Sequence, residues 1–215
     1  MIDFVVFDIF GVLLSRGFPS SSAQLCALLS TDREKIRIVY EKWEKPFDLG
    51  QLSEHEFWIN IQRELGTTAD WRQLNRVVLE SYFPLPGAFD LIKRCSSKTQ
   101  VFALSNTRRE WFEYLDRKFS IRSLFNKMFL SFEIGLLKPE PACFAYLIKE
   151  LNRSPEHIAY LDDDPENVRV ASSLGLVSTR YVDVLAGEQF LEQLGILTDT
   201  NQRAWPRGKV KFRLT

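Results

Sequence analysis

The chain has 215 residues, 45% of them hydrophobic and 26% charged, a size that gives one large domain or one domain with a smaller insertion and needs neither metal nor disulfide to hold its core. Basic and acidic residues balance at 28 each, but residues 201–215 hold five basic residues and no acid, leaving an acidic body that argues against a nucleic-acid-binding surface. No apolar run approaches the roughly 20 residues of a membrane span and no basic segment opens the chain, so neither a membrane anchor nor a signal peptide is expected. Cys26, Cys95 and Cys143 lie far apart and read as reduced thiols of a cytoplasmic protein.

The first element is the unbroken apolar run Phe4 to Phe7, which predicts a strand buried on both faces, as in a parallel sheet. Asp8 falls at its carboxyl end, where open α/β sheets bind ligands, and Gly11 follows, a residue that lets a ligand approach the backbone. A carboxylate there is a candidate nucleophile or metal ligand, and equally a turn cap. Residues 15–22 (SRGFPSSS) read as a polar exit loop, and residues 23–83 as helical throughout. Thr31 to Glu34 (TDRE) forms a capping box for a helix to about Lys45, which Pro46 to Gly50 breaks. Ser53 to Glu56 is a second capping box, and Phe57, Ile61 and Leu65 share one helical face before Gly66 ends the segment. A further helix runs from about Asp70 to Tyr82.

From Gly87 helices and strands alternate. Helices are predicted over 87–96 and 108–118, from Pro141 to about Leu151, up to Leu174, and over 184–195. Strands are predicted at Gln100 to Leu104, Lys127 to Leu130, Ile158 to Leu161 and Val177 to Val182. That alternation means a parallel sheet with helices on both faces. The helical segment is then an insertion over the strand end that carries Asp8.

Each strand end presents polar chemistry: Asp8, then Ser105 and Asn106, then Asp162 to Asp164, with Lys138 at the start of a helix. Acids at two strand ends can share a divalent cation, and a few hard oxygen ligands suit Mg²⁺ with water and phosphate. A hydroxyl, an amide and an ammonium are donors to phosphate oxygens. Asn167, in the first turn of its helix, could orient an acid or a loop. Each has a plainer explanation as a helix cap or a solvated charge; their order at successive strand ends favours a shared site. His55 and His157 look like surface or cap residues, not members of a Ser–His–Asp arrangement. Arg16, Trp43 and Phe47 are weaker candidates for facing the site.

FVVFDIFGVL, LSN at 104–106, GLLKPEPACF at 135–144 and YLDDDPENV at 160–168 resemble the four motifs of the haloacid dehalogenase-like (HAD) hydrolases. PFDLGQLSEHEFW (46–58) resembles the small helical cap of a branch with sugar-phosphate phosphatases and the N-terminal domain of soluble epoxide hydrolases. The resemblance implies a Rossmann-like parallel sheet of order 5-4-1-2-3, with a core of residues 1–16 and 84–200, a cap of 17–83 and a basic tail of 201–215. It implies an aspartyl phosphate on Asp8, and Mg²⁺ held by Asp8, the Phe10 carbonyl and Asp162, with Asp163 acting through water. Ser105, Asn106 and Lys138 would hold the phosphoryl oxygens of a small-molecule phosphate.

Most phosphatases of that family carry a second Asp two residues after the nucleophile as general acid and base; here the position is Phe10. A phenyl ring transfers no proton, a help worth about 10²–10⁴ in rate. The preferred expectation is a phosphatase whose substrate has a good leaving group, such as an anomeric sugar phosphate or an acyl phosphate. The alternatives are a binding or regulatory protein with little turnover, and a carbon-centre hydrolase like the haloacid dehalogenases, which Asp162 and Asp163 disfavour. The tail, with alternating Val210, Phe212 and Leu214, is a candidate for packing on the body or on a second copy in a homodimer.

Overall fold

The computed structural model describes residues 1–198; the basic tail lies outside the described residues. Five strands, β1 (Phe4–Phe7), β2 (Gln100–Ser105), β3 (Lys127–Leu130), β4 (Ile158–Asp162) and β5 (Val177–Arg180), form one parallel sheet in the order β3-β2-β1-β4-β5. This is the expected order read from the opposite edge. Successive side chains of a strand point to opposite faces, and both faces are covered here. Val5 and Phe7 join one buried cluster with Val101, Ala103 and Leu161, while Val6 joins another with Phe102, Phe144 and Tyr160.

Four helices follow β1: α1 (Gly17–Leu29), α2 (Arg33–Asp48), α3 (Glu54–Leu65) and α4 (Trp71–Glu80). They form the cap. The core continues with α5 (Ala88–Ser96), α6 (Arg109–Phe119), the single turn α7 (Ser131–Ile134), α8 (Pro141–Leu151), α9 (Pro165–Ser173) and α10 (Val184–Gln193). Cap and core meet in an aromatic cluster. Phe47 stacks on Phe57 at 4.5 Å between centroids and meets Trp111 of α6 edge-on at 5.3 Å, contacts that add to the area they bury.

The structure corrects three expectations. Residues 17–22 are helix, not loop. Pro19 occupies the first turn of α1, where a missing N–H breaks no helical bond. The serines bond back to main-chain carbonyls of their own chain segment: Ser20 Oγ donates to the Arg16 carbonyl and Ser21 Oγ to that of Gly17, each at 2.9 Å. The cap of α2 is Asp32, whose carboxylate accepts from the Lys35 N–H at 2.8 Å, and not Thr31. Pro46 does not break α2, which runs on to Asp48. A proline removes one helical bond, and the buried Phe47 and Asp48 hold the last turn against the core. The Ser53–Glu56 capping box and the left-handed Gly66 that ends α3 are as expected. The three cysteines are free thiols, Cys95 and Cys143 buried and Cys26 partly so.

Candidate active site

The register sets Phe7 beside Leu161, so Asp8 emerges next to Asp162 where the strand order reverses, the position at which open α/β sheets bind ligands. One carboxylate oxygen each from Asp8, Asp162 and Asp163 lies within 4.8 Å of the others. Gly11, with φ at +93°, turns the chain under Asp163, and a Cβ there would overlap that carboxylate. Lys138, brought in by the loop before α8, places its ammonium 3.0 Å from Asp8 and 2.6 Å from Asp162. Asn167 donates to both oxygens of Asp162 at 3.1 and 3.0 Å, Tyr160 donates to Oδ2, and the Asp164 N–H donates to Oδ1 at 2.8 Å.

These surroundings split the two acids. Burial pushes the Asp8 carboxyl up to about 7 against the pull of Lys138. Burial acts the same way on Asp162, but Lys138 together with the hydrogen bonds from Tyr160 and Asp164 holds it below the usual carboxylate range. Burial likewise opposes the charge on Lys138, and the two carboxylates outweigh it, lifting its pKa above the usual lysine value.

Above Asp8 opens a cavity of about 330 Å³, floored by Asp8, Phe10, Asn106, Lys138 and Asn167 and roofed by α1 and α2. Its upper wall carries Tyr40, Glu44 and Asp48, and its side Tyr82 and Arg108. The Arg108 guanidinium is almost wholly buried and faces Glu44 at 3.0 Å and Asp48 at 3.2 Å, with its Nη2 also donating to the Tyr40 hydroxyl at 3.1 Å. Trp111 lies under the guanidinium, 4.5 Å away.

Asp8, Asp162, Asp163 and Lys138 therefore come together. Asn106 reaches the cavity, but its amide is engaged with the Lys138 main chain, donating to the carbonyl at 2.8 Å and accepting from the N–H at 2.9 Å. Ser105, at the end of β2, is buried with a hydroxyl that has no hydrogen-bond partner among the described residues, as a group awaiting a ligand oxygen would be. The Phe10 ring lines the cavity and packs on Tyr82 at 5.3 Å. Arg16 also lines it and pairs with Asp163 at 2.7 Å. Phe47 is core instead, and Trp43 donates to Glu64 at 2.8 Å. His55 lies against Trp71, and His157 is 3.5 Å from the Asp3 carboxylate, so neither faces the cavity. Sequence reasoning missed Arg108, Tyr40, Asp48, Tyr82 and Tyr160. Only Tyr160 had a signal, since strand alternation puts it on the face of Asp162.

A family model described as haloacid dehalogenase-like hydrolase matches residues 2–175. The chain is 33% identical over 91 residues to drimenol cyclase drtB of Aspergillus calidoustus, which is 42% of this chain and 17% of that protein. It is 23% identical over 184 residues to D-ribitol-5-phosphate phosphatase of Bacteroides thetaiotaomicron, covering 81% of this chain and 89% of that one. The chain spans less than a quarter of the length of the first curated relatives it matches, drtB and the mouse and rat bifunctional epoxide hydrolases. Among solved structures it superposes on a HAD family enzyme of Bacteroides thetaiotaomicron in complex with magnesium and inorganic phosphate. The TM-score is 0.71 at 21% identity, covering 84% of this chain and 94% of that one, a likeness of fold.

Proposed function

The chain belongs to the haloacid dehalogenase-like hydrolases, and from that premise we propose that it is a Mg²⁺-dependent phosphomonoester hydrolase acting through an aspartyl phosphate on a small, sugar-type phosphate. The observation that carries this reading is the cluster of Asp8, Asp162 and Asp163 beneath a cavity, with Lys138 between the first two. Three hard oxygen donors fit Mg²⁺, and the space that Gly11 leaves for Asp163 fits a site built to bring the third acid in. Asp8, Asp162, Asp163 and the Phe10 carbonyl would hold the ion, which when bound neutralises charge on the transferred group. Support also comes from the relative named for D-ribitol-5-phosphate and the similar structure that contains magnesium and phosphate.

Asp8 attacks phosphorus, and the aspartyl phosphate is then hydrolysed by water. Lys138 pulls the nucleophile toward its ionised form, in part against its burial, and with Ser105 and Asn106 it holds the phosphoryl oxygens. Asn167 and Tyr160 fix Asp162. Helices α1 and α2 of the cap close the site over the leaving group, where their residues choose the substrate. Phe10 supplies no proton, so the leaving group either departs unaided, as from an anomeric sugar phosphate or an acyl phosphate, or is protonated from another element.

The test is phosphate release from a panel of sugar and acyl phosphates with Mg²⁺, parent against Asp8→Asn. Mg²⁺-dependent turnover that vanishes in Asp8→Asn is expected. Phe10 favours a second reading, a phosphate- and metal-binding protein with little turnover, and a parent that binds Mg²⁺ yet releases no phosphate would replace the first reading with it.

A further inference from the structure

We propose that Asp48, at the end of α2, is the proton donor to the departing oxygen, the part Phe10 cannot play; this rests on the phosphomonoesterase reading. In an in-line displacement the bond opposite the attacking oxygen breaks. With Asp8 on the floor, the leaving oxygen faces the cap, and Asp48 is a cap acid lining the same cavity as Asp8. Its main-chain carbonyl accepts from Ser131 Oγ at 2.6 Å, which ties the end of α2 to the core. Its side chain is 9% exposed, and Oδ1, though 3.2 Å from Arg108, is buried without a hydrogen-bond partner among the described residues.

Charge counting puts the proton there. The ionisable groups that face Asp48 are Arg108 from the loop after β2, Glu44 and Tyr40 from α2, and Tyr82 from the segment after α4; Ser131 of α7 is uncharged. Two carboxylates thus share one guanidinium, and the tyrosine hydroxyls add no positive charge. Glu44 is 39% exposed and reaches water at the rim, whereas Asp48 has no such outlet. An ionised carboxylate deprived of water and of a full counter-charge takes up a proton. In agreement, burial pushes Asp48 up to about 7, with Arg108 opposing and Glu44 adding.

The step balances. The bond from Asp8 Oδ to phosphorus forms as the bond to the leaving oxygen breaks, and the Asp48 proton passes to that oxygen, releasing the alcohol. Asp48 is left a carboxylate beside Arg108. It then takes a proton from the water that attacks the aspartyl phosphate, which frees inorganic phosphate and restores both acids. With this donor the leaving group need not be a good one.

The experiment compares the parent with Asp48→Asn on a sugar phosphate and on p-nitrophenyl phosphate, whose leaving group departs without a proton. The expected loss is about 10²–10⁴-fold on the sugar phosphate and under about tenfold on the nitrophenyl ester. Equal losses on both, the mark of a merely structural acid, would overturn the assignment, as would no loss on either. Glu44→Gln gives a second reading that does not need Asp48→Asn to fold. With Glu44 neutral, Arg108 serves Asp48 alone, and the basic limb of the kcat/KM pH profile moves to lower pH; an unmoved limb overturns the assignment. A parent inactive on both esters would overturn the phosphatase reading and this assignment with it, whereas an active parent with equal losses overturns the assignment alone.

Discussion

Lys138→Met removes the ammonium between two buried carboxylates and keeps a side chain of similar length and flexibility. Near-constant volume makes the packing loss small, below about 1.5 kcal/mol. What remains is electrostatic. The Lys138 side chain is 1% exposed and Asp162 is fully buried, so water cannot replace the lost partner. Breaking a buried ion pair by removing one side costs about 3–5 kcal/mol, because the other side stays behind uncompensated. In a chain of this size that lowers the melting temperature by roughly 6–20 °C. The assay is urea unfolding of parent and variant in EDTA, repeated with millimolar Mg²⁺. A cation bound by Asp8, Asp162 and Asp163 supplies the missing charge and stabilises the folded state that binds it, so part of the loss returns. A variant as stable as its parent in EDTA would refute the claim that Lys138 offsets these acids, and a full loss that Mg²⁺ leaves untouched would refute the metal site.

Three further changes test the surroundings. Gly11→Ala places a Cβ in the Asp163 carboxylate at a φ of +93°. It should cost about 1–3 kcal/mol in strain and weaken Mg²⁺ binding by titration calorimetry; unaltered affinity would remove Asp163 from the site. Phe47→Ala opens the aromatic cluster between cap and core, and a loss of about 3–5 kcal/mol in urea unfolding is expected, against under about 1 kcal/mol if the cluster carries little. Asp48, raised to about 7 by burial, binds a proton in the folded state that the unfolded chain releases near pH 4. Its contribution to stability is therefore complete below about pH 4 and is lost as the pH rises through about 7, at up to about 1.4 kcal/mol per pH unit. The stability of the parent relative to Asp48→Asn should fall over that window, and a pH-independent difference would show that Asp48 is ionised throughout.

The sheet was legible because its signals are local and repeated: short apolar runs ending in polar residues, separated by helical periodicity. Lys127–Leu130 and the Ser53 capping box need nothing from the rest of the chain to be read. The beginning of α1 and the end of α2 failed for the opposite reason. Propensity counts SRGFPSSS as a loop, yet the serine hydroxyls find main-chain carbonyls inside the helix, and Gly17 packs where a Cβ would strike Tyr82. Pro46 reads as a stop, yet the buried Phe47 and Asp48 carry the helix two residues past it. Tertiary contacts outweighed local preference in both places.

The two walls of the site differ in legibility for a related reason. On the floor, strand ends in a parallel sheet converge by topology, so acids at the ends of β1 and β4 announce their own meeting. In the roof, Arg108 looks like half of an exposed Arg-Arg pair, and Asp48 like the middle of a turn; only folding the cap over the sheet makes them neighbours. Yet both walls use the same arithmetic. Lys138 stands between Asp8 and Asp162, and Arg108 between Glu44 and Asp48. Each leaves one carboxylate more than its cation can balance. On the floor that surplus is negative charge that a divalent cation can answer, with Asp163 as the third donor. In the roof no acid beyond Glu44 adjoins Asp48 among the described residues, and its surplus is answered by a proton. One cavity thus holds a metal-ready acid cluster below and a proton-ready acid above, the two charge states that phosphoryl transfer to Asp8 calls for on opposite sides of phosphorus.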